Sequence, residues 1–352
     1  MQKNVYIFFL SIFVFFSVFC SYSVFAQESE KIPELTVMTH DSFSVSSDVI
    51  NYFEKENSVK VRFLKSGDAG EALNKAILSR NNPLADLFFG VDNTFFSRAL
   101  KYDIFLPYNS PMLDNIFDEL KLDPENRLVP VDYGDVCINY DRQWFKDKKI
   151  NPPADLTDLL KPEFKGLVVV QNPATSSPGL AFLLATVAKF GEDGYLDFWK
   201  KLKKNDLLVT SRWKEAYWGK FSAASHGNRP VVVSYASSPA AEVFFAKKKM
   251  DKAPTGVVIE NGAAFRQIEF AGILKKTLKR ELAEKFIDFM LSKKFQQDIP
   301  LQMFVFPANK NAELPVVFKK HAKITTEPAF ISHEIISQKR DLWIEQWTEE
   351  IL

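Results

Sequence analysis

Residues 171–180 read QNPATSSPGL, and the fold follows from what flanks them. The run Leu167-Val168-Val169-Val170 before them has the length and β-branched content of a buried strand. The apolar spacing from Leu180 to Val187 after them is helical. Between the two, Ser176-Ser177-Pro178 is a helix-start signal: a serine hydroxyl can cap, and proline suits the first helical position because its missing N–H had no partner there. The junction is repeated downstream, where Val231-Val232-Val233 runs into Ser234-Tyr235-Ala236-Ser237-Ser238-Pro239. A helix start offers N–H donors and partial positive charge. Two such starts predict a pair of helices facing one ligand site; two ordinary well-capped helices would read the same way.

Upstream, residues 34–39, 59–64 and 85–90 read as strands, with helical patterns at 48–56 and 71–80 between them and a further helix opening at 91–93. This βαβαβ order predicts a parallel sheet with helices on its faces, and ligands bind such sheets beyond the strand C-terminal ends. Those ends carry His40-Asp41-Ser42, Ser66-Gly67-Asp68-Ala69 and Asp92-Asn93-Thr94, each with an aspartate. Residues 128–132 and 136–140 read as two short strands flanking Tyr133-Gly134-Asp135 and form a crossing to a second lobe. That lobe holds the two serine junctions, helices at 180–189 and 195–203, a strand at 207–210 and a helix around Trp213–Trp218. The apolar run 265–273 crosses back, a helix covers 281–291, residues 299–307 form an aromatic loop, and a last helix over 334–352 buries Ile335, Trp343, Ile344 and Trp347.

Composition excludes several classes. The 352 residues carry a formal net charge of +1, so nothing argues for nucleic acid or an anionic surface as partner. Residues 1–26 read as an export signal: Lys3, then an apolar run, then Val24-Phe25-Ala26 for cleavage before Gln27. An uncleaved anchor, or a lipid on Cys20, are the other outcomes; bulky Phe19 argues against the lipid. Cleavage leaves Cys137 alone, which excludes an internal disulfide and a multi-cysteine metal site, and its alternating surroundings place it buried on a strand. The four histidines lack metal-ligand spacing, and no nucleophile elbow, Walker loop or dinucleotide fingerprint occurs. No metal or cofactor is expected. Asp41 beside His40 could form an acid–base pair; a carboxylate serving a ligand reads equally well.

The aromatics are more telling. Trp213, Tyr217 and Trp218 follow one strand end and Tyr235 another; Tyr133 lies in the crossing, and Phe304 and Phe306 lie in the late loop. Each alone is ordinary core material. Beside carboxylates, aromatic faces suit a flat cation, while helix starts with hydroxyls suit a phosphate or hydroxyl tail.

Several motifs together resemble the thiamine-binding subgroup of the periplasmic substrate-binding proteins of ABC importers. They are THDSF at 39–43, ADLFFGVDN at 85–93, PVDYGDVCINYD at 130–141, NPATSSPGLAFLLATVAKFGEDG at 172–194, WKEAYWGKFS at 213–222, VVVSYASSPAAEV at 231–243, FRQIEFAGIL at 265–274, FQQDIPLQMFVFPAN at 295–309 and the closing Trp343/Trp347 pair. The resemblance covers essentially the whole chain after residue 26. It implies an α/β, two-lobed, hinged type II binding-protein fold, each lobe a mixed, mostly parallel sheet with flanking helices. Its segments would be a signal at 1–26, a first lobe from 27–132 completed by 265–352, and a second lobe at 133–264. It implies a periplasmic, monomeric protein without enzymatic activity that captures thiamine or its phosphates for a permease and its ATPase subunit. By matching motif, Asp68, Ala69, Ser176, Ser177, Trp213, Tyr235, Ala236, Ser237 and Ser238 would line the ligand, with Asp41, Tyr133 and Phe304 in matching segments. Two departures stand out. An enterobacterial member has a tryptophan shortly after D-S-F, where Ser44-Val45-Ser46-Ser47 has none, and Trp-x-Tyr-Pro where Phe304-Val305-Phe306-Pro307 stands. A pyrimidine precursor, a polyamine or ferric ion as cargo, or a secreted hydrolase built on Asp41 and His40, are the competing readings; ferric ion lacks an adjacent tyrosine pair to hold it.

Overall fold

Three parallel strands open the chain. The computed structural model describes residues 32–352; the expected export signal lies outside them. β1 (Glu34–Thr39), α1 (Ser47–Asn57), β2 (Lys60–Lys65), α2 (Ala69–Leu78), β3 (Leu87–Asp92) and α3 (Phe96–Lys101) are followed by β4 (Phe105–Leu106) and the long β5 (Val129–Asp141). Then come α4 (Arg142–Lys148), β6 (Val168–Gln171), α5 (Ser177–Lys204), β7 (Leu208–Thr210), α6 (Trp213–Glu215), β8 (Val231–Tyr235), α7 (Ser238–Phe245) and β9 (Thr255–Val258). The second long strand β10 (Phe265–Leu274) precedes α8 (Arg280–Leu291), α9 (Lys293–Gln296), α10 (Ile299–Gln302), β11 (Phe306–Pro307), α11 (Val316–His321) and α12 (His333–Ile351).

The main sheet runs β2-β1-β3-β10-β5-β8-β6-β7. β2-β1-β3 and β8-β6-β7 are parallel triplets, and an antiparallel β10–β5 ribbon lies between them. The registers fix how the triplets face. β3 runs along β10 from Ile273 to Glu269, so its C-terminal Asp92 reaches the middle of the ribbon. β8 runs along β5 from Tyr140 to Val136, so its C-terminal Tyr235 reaches the same middle from the other end. The two sets of C-terminal strand ends therefore meet over Tyr133-Gly134-Asp135 and Gln267-Ile268-Glu269. Side chains at this meeting are crowded: a Cβ on Gly134 would stand 3.2 Å from the Tyr235 ring.

Three local expectations are corrected. The expected two strands flanking Tyr133-Gly134-Asp135 are one thirteen-residue strand, β5. β10 pairs with it through this polar stretch, and Arg266 satisfies the buried Asp135 carboxylate at 2.8 Å. The expected helix opening at 91–93 is still strand at Val91 and Asp92, because both pair with β10. The helices expected at 180–189 and 195–203 are both present: within α5 the chain leaves helical geometry at Gly191, whose φ of 72° suits glycine, and two helices meet there at a kink. On α12 the buried stripe is Ile336, Arg340, Trp343, Trp347 and Ile351, a helical 4-3-4-4 spacing that leaves Ile335 43% exposed.

Residues Pro33–Leu352 form one compact unit. Trp199 of α5 meets Phe182 and the Trp347 of α12 edge-to-face, at 5.5 and 5.4 Å, and α12 also packs on α3. Cys137 is fully buried on β5. Among the described residues no helix is long and apolar enough to cross a membrane.

Candidate functional site

Where the strand ends meet, His40, Ser42, Asp68, Ala69, Ser177, Pro178, Trp213, Tyr235 and Glu269 enclose a cavity of about 60 Å³. Each comes from a segment that directly follows a strand, except Tyr235, the last residue of β8, and Glu269, which sits within β10. Of the residues singled out in the sequence, the cavity gathers Asp68, Ala69, Ser177, Trp213 and Tyr235. Ser176 is adjacent, buried, with its hydroxyl unpartnered and facing Asp68. The others lie outside this lining. Asp41 accepts from the Gly67 N–H at 2.9 Å and stands 3.6 Å from Arg212 at the rim. Tyr133 stacks on Phe306 behind the ribbon. Phe304 packs on Phe244 and Phe245 and accepts the Ser237 hydroxyl on its carbonyl. Ala236 packs with Cys137 and Ala264, and Ser238 shares a 3.0 Å hydrogen bond with Ser234.

The serine junctions do not work as simple caps. Neither Ser176 before α5 nor Ser237 before α7 caps its own helix through the side chain. Ser177 instead donates to Asp92 across the meeting point, and Ser237 donates to the Phe304 carbonyl. The hydroxyls tie segments distant in sequence, which local capping rules cannot foresee. Further ties cross the same gap. The Trp213 backbone N–H donates to Asp68 at 3.3 Å, Arg212 pairs with Glu71 at 2.8 Å, and Lys214 donates to the Asp41 backbone carbonyl at 2.7 Å.

Trp213 is positioned from behind. Its indole lies against Tyr217 at 5.1 Å and 18°, and its N–H donates to Ser234 at 3.0 Å. Tyr217 is buried and donates to Glu242 at 2.7 Å, and Glu242 also accepts from the Thr255 N–H at 3.1 Å. Burial pushes the Glu242 carboxyl up to about 7, against those hydrogen bonds. With one face of the indole backed by a ring, the other is left for the cavity.

The interior is rich in carboxyl groups. Burial raises Asp68, and it raises Asp92 to about 6 although Ser177 and Thr94 donate to it. Asp132, opposite Glu269 in the ribbon, is held well above the carboxylate range by burial and then by the Glu269 charge. Burial pulls the His40 imidazole down, but the Glu269 carboxylate outweighs it, helped by Asp68 and Asp41, and the net shift is upward. Desolvation, with Glu269 and Asp92, likewise pushes the Tyr235 phenol up. Such a chamber attracts a cation. A wider groove of about 730 Å³ lies elsewhere, lined by Arg142, Lys146, Lys149 and Lys252. Its charge has the opposite sign and it holds no cluster of buried polar groups, so it is the weaker candidate for a cationic ligand.

Asp92 yields a stability test. Its folded pKa stands above the ordinary 3.8, so neutral Asp92 favours the folded state fully below about pH 4, and that advantage is lost as pH rises through about 6. The difference reaches up to about 3 kcal/mol. Asp92→Asn keeps an acceptor for Thr94 and gains a donor for Ser177. The variant is expected to match the parent below pH 4 and to exceed it in denaturant stability above pH 6. A pH-independent difference would show that Asp92 does not titrate in this window.

Sequence reading did not select His40, Glu269 or Asp92 as ligand-site residues. Glu269 had a signal: it is a lone acid in the apolar run 265–274, and Asp132 is its counterpart in 128–132.

Known proteins are similar to this chain along most of its length. Residues 82–339 match the family model described as bacterial extracellular solute-binding protein. The thiamine-binding periplasmic protein of Brucella melitensis is 32% identical over 92% of each chain. The thiamine-binding periplasmic protein of Escherichia coli K12 is 32% identical over 91% of this chain and 94% of its own. A solved periplasmic thiamin binding protein superposes with a TM-score of 0.82 at 29% identity, covering 92% of this chain and 98% of that one.

Proposed function

The chain belongs to the bacterial extracellular solute-binding proteins, and on that premise we propose that it captures thiamine or a thiamine phosphate and delivers it to an ABC permease with its ATPase subunit. The observation that carries the reading is the acidic cavity with one open indole face, enclosed between the two strand–serine–proline junctions and the carboxylate loops. Its chemistry matches a flat aromatic cation with a polar tail. The names of the relatives point to the same ligand. Asp68, Ala69, Ser176, Ser177, Trp213 and Tyr235 form the contact set. Ala236, Ser237, Ser238, Asp41, Tyr133 and Phe304 support it from the rim and the second layer.

In this reading residues 27–132 and 265–352 form one lobe and 133–264 the other, with β5 and β10 as the crossings. Two rings need more room than the present cavity gives, so entry requires the walls to separate. Binding energy then favours the closed form that a permease reads. No bond is made or broken. Residues 1–26 would direct export, placing the protein in the periplasm as a monomer.

Calorimetry on the purified chain tests this. Thiamine or its monophosphate is expected to bind one to one and to be recovered unchanged. Absence of binding, with saturable uptake of a polyamine, a pyrimidine precursor or ferric ion, would replace the cargo and leave the fold reading intact. Conversion of thiamine would return the hydrolase.

A further inference from the structure

His40 and Glu269 meet at the floor of the cavity, each only 6% exposed. His40 Nε2 lies 3.5 Å from Glu269 Oε1 and has no hydrogen-bond partner. The tautomer is set from the other side of the ring. The Ser42 N–H donates to His40 Nδ1 at 3.2 Å, so Nδ1 is an acceptor and the ring proton sits on Nε2. Glu269 is held by Gln267, whose amide donates to Glu269 Oε1 at 3.3 Å and accepts the Tyr235 hydroxyl at 3.2 Å. Behind it Asp132 is fully buried with both oxygens unpartnered. The floor thus presents one unused donor beside one carboxylate acceptor, on rigid strand ends, in a site from which water is largely excluded. An unmet donor at such depth costs free energy that a ligand group can recover.

We infer that the His40–Glu269 pair reads the edge of an amino-substituted nitrogen heterocycle, the amino group donating to Glu269 and the adjacent ring nitrogen accepting from His40 Nε2–H. This rests on the proposed thiamine function and assigns the aminopyrimidine to this floor. Neighbouring ligand atoms of opposite polarity match neighbouring protein atoms of opposite polarity, so the match is directional. A 4-oxo analogue inverts it: its carbonyl oxygen would face the Glu269 carboxylate and its ring N–H would face the His40 N–H. Sites built around such hydrogen bonds discriminate strongly against analogues that break them.

The test compares thiamine with oxythiamine, which carries the 4-oxo group, on the full purified chain by calorimetry at pH 7.5. The parent is expected to prefer thiamine by about tenfold or more. Glu269→Gln supplies an amide N–H to the oxo group; it is expected to weaken thiamine, strengthen oxythiamine and bring the ratio below about threefold. Gln is isosteric and removes a charge beside Asp132, so the fold is spared, and an unchanged circular dichroism spectrum and melting curve verify this. Should Glu269→Gln fail to fold, His40→Phe removes the donor and is expected to shrink the same ratio. Equal binding of both ligands by the parent, or an undiminished ratio in a folded variant, overturns this inference while the thiamine function stands. A parent that binds neither ligand overturns both.

Discussion

Replacing Trp213 by alanine is expected to weaken thiamine binding by roughly 1–3 kcal/mol, about five- to 150-fold. Trp213 is fixed on three counts: its indole stacks on Tyr217 and donates to Ser234, and its backbone N–H donates to Asp68. Fixing it beforehand removes the entropy cost of ordering a stacking residue on binding. The expectation carries weight because other aromatics stand aside. Phe43 is buried against Phe63 and Phe89, the short stretch after it has no tryptophan, and Phe304 packs on Phe244 and Phe245. Tyr235→Ala is expected to cost a similar amount, with the added loss of the hydroxyl on Gln267. Titration calorimetry of both variants decides; unchanged affinity in both would reject the aromatic enclosure.

Gly179→Ala is expected to lower stability by about 1–3 kcal/mol and thiamine affinity by about tenfold or more. A Cβ at this position would stand 2.5 Å from the Gln171 carbonyl oxygen and 3.0 Å from that of Asn172, and both are backbone atoms that cannot rotate away. The first turn of α5 is thus pressed on the end of β6, which brings Ser176 and Ser177 to the cavity. The helix must move outward to admit a methyl group, loosening the Ser177–Asp92 tie. Chemical denaturation and calorimetry on the same sample separate the two effects. A variant with parental stability and affinity would show that the junction yields freely.

Much of the fold was legible because strands and helices here obey local periodicity. The strand at residues 34–39 was expected with the bounds it has, and the valine runs before both serine junctions are buried strands. Local rules failed where a distant partner changes the outcome. Tyr133-Gly134-Asp135 looks like a turn, yet β10 keeps it extended, and Arg266 lies against the Asp135 carboxylate. Val91 and Asp92 looked like a helix start until β10 drew them into the sheet.

The candidate site divides the same way. Asp68, Ser176, Ser177, Trp213 and Tyr235 could be selected from sequence because each follows a strand, where backbone polarity and small or aromatic residues mark a ligand edge. Which of them share a cavity depends on the opposed registers of β3 and β8 along one ribbon, and register is a property of paired chains. His40 and Glu269, 229 positions apart by number, acquire a joint meaning only at 3.5 Å. The sequence by itself determined the alternation of strands and helices, the serine–proline starts and the acidic strand ends, since these follow from each residue's own neighbours. Only the tertiary structure decided that the hydroxyls bridge rather than cap, and that a lone acid in an apolar strand lines the cavity. Burial and partner distance set the free energy of a polar group, and both are fixed only once the two halves of the sheet meet.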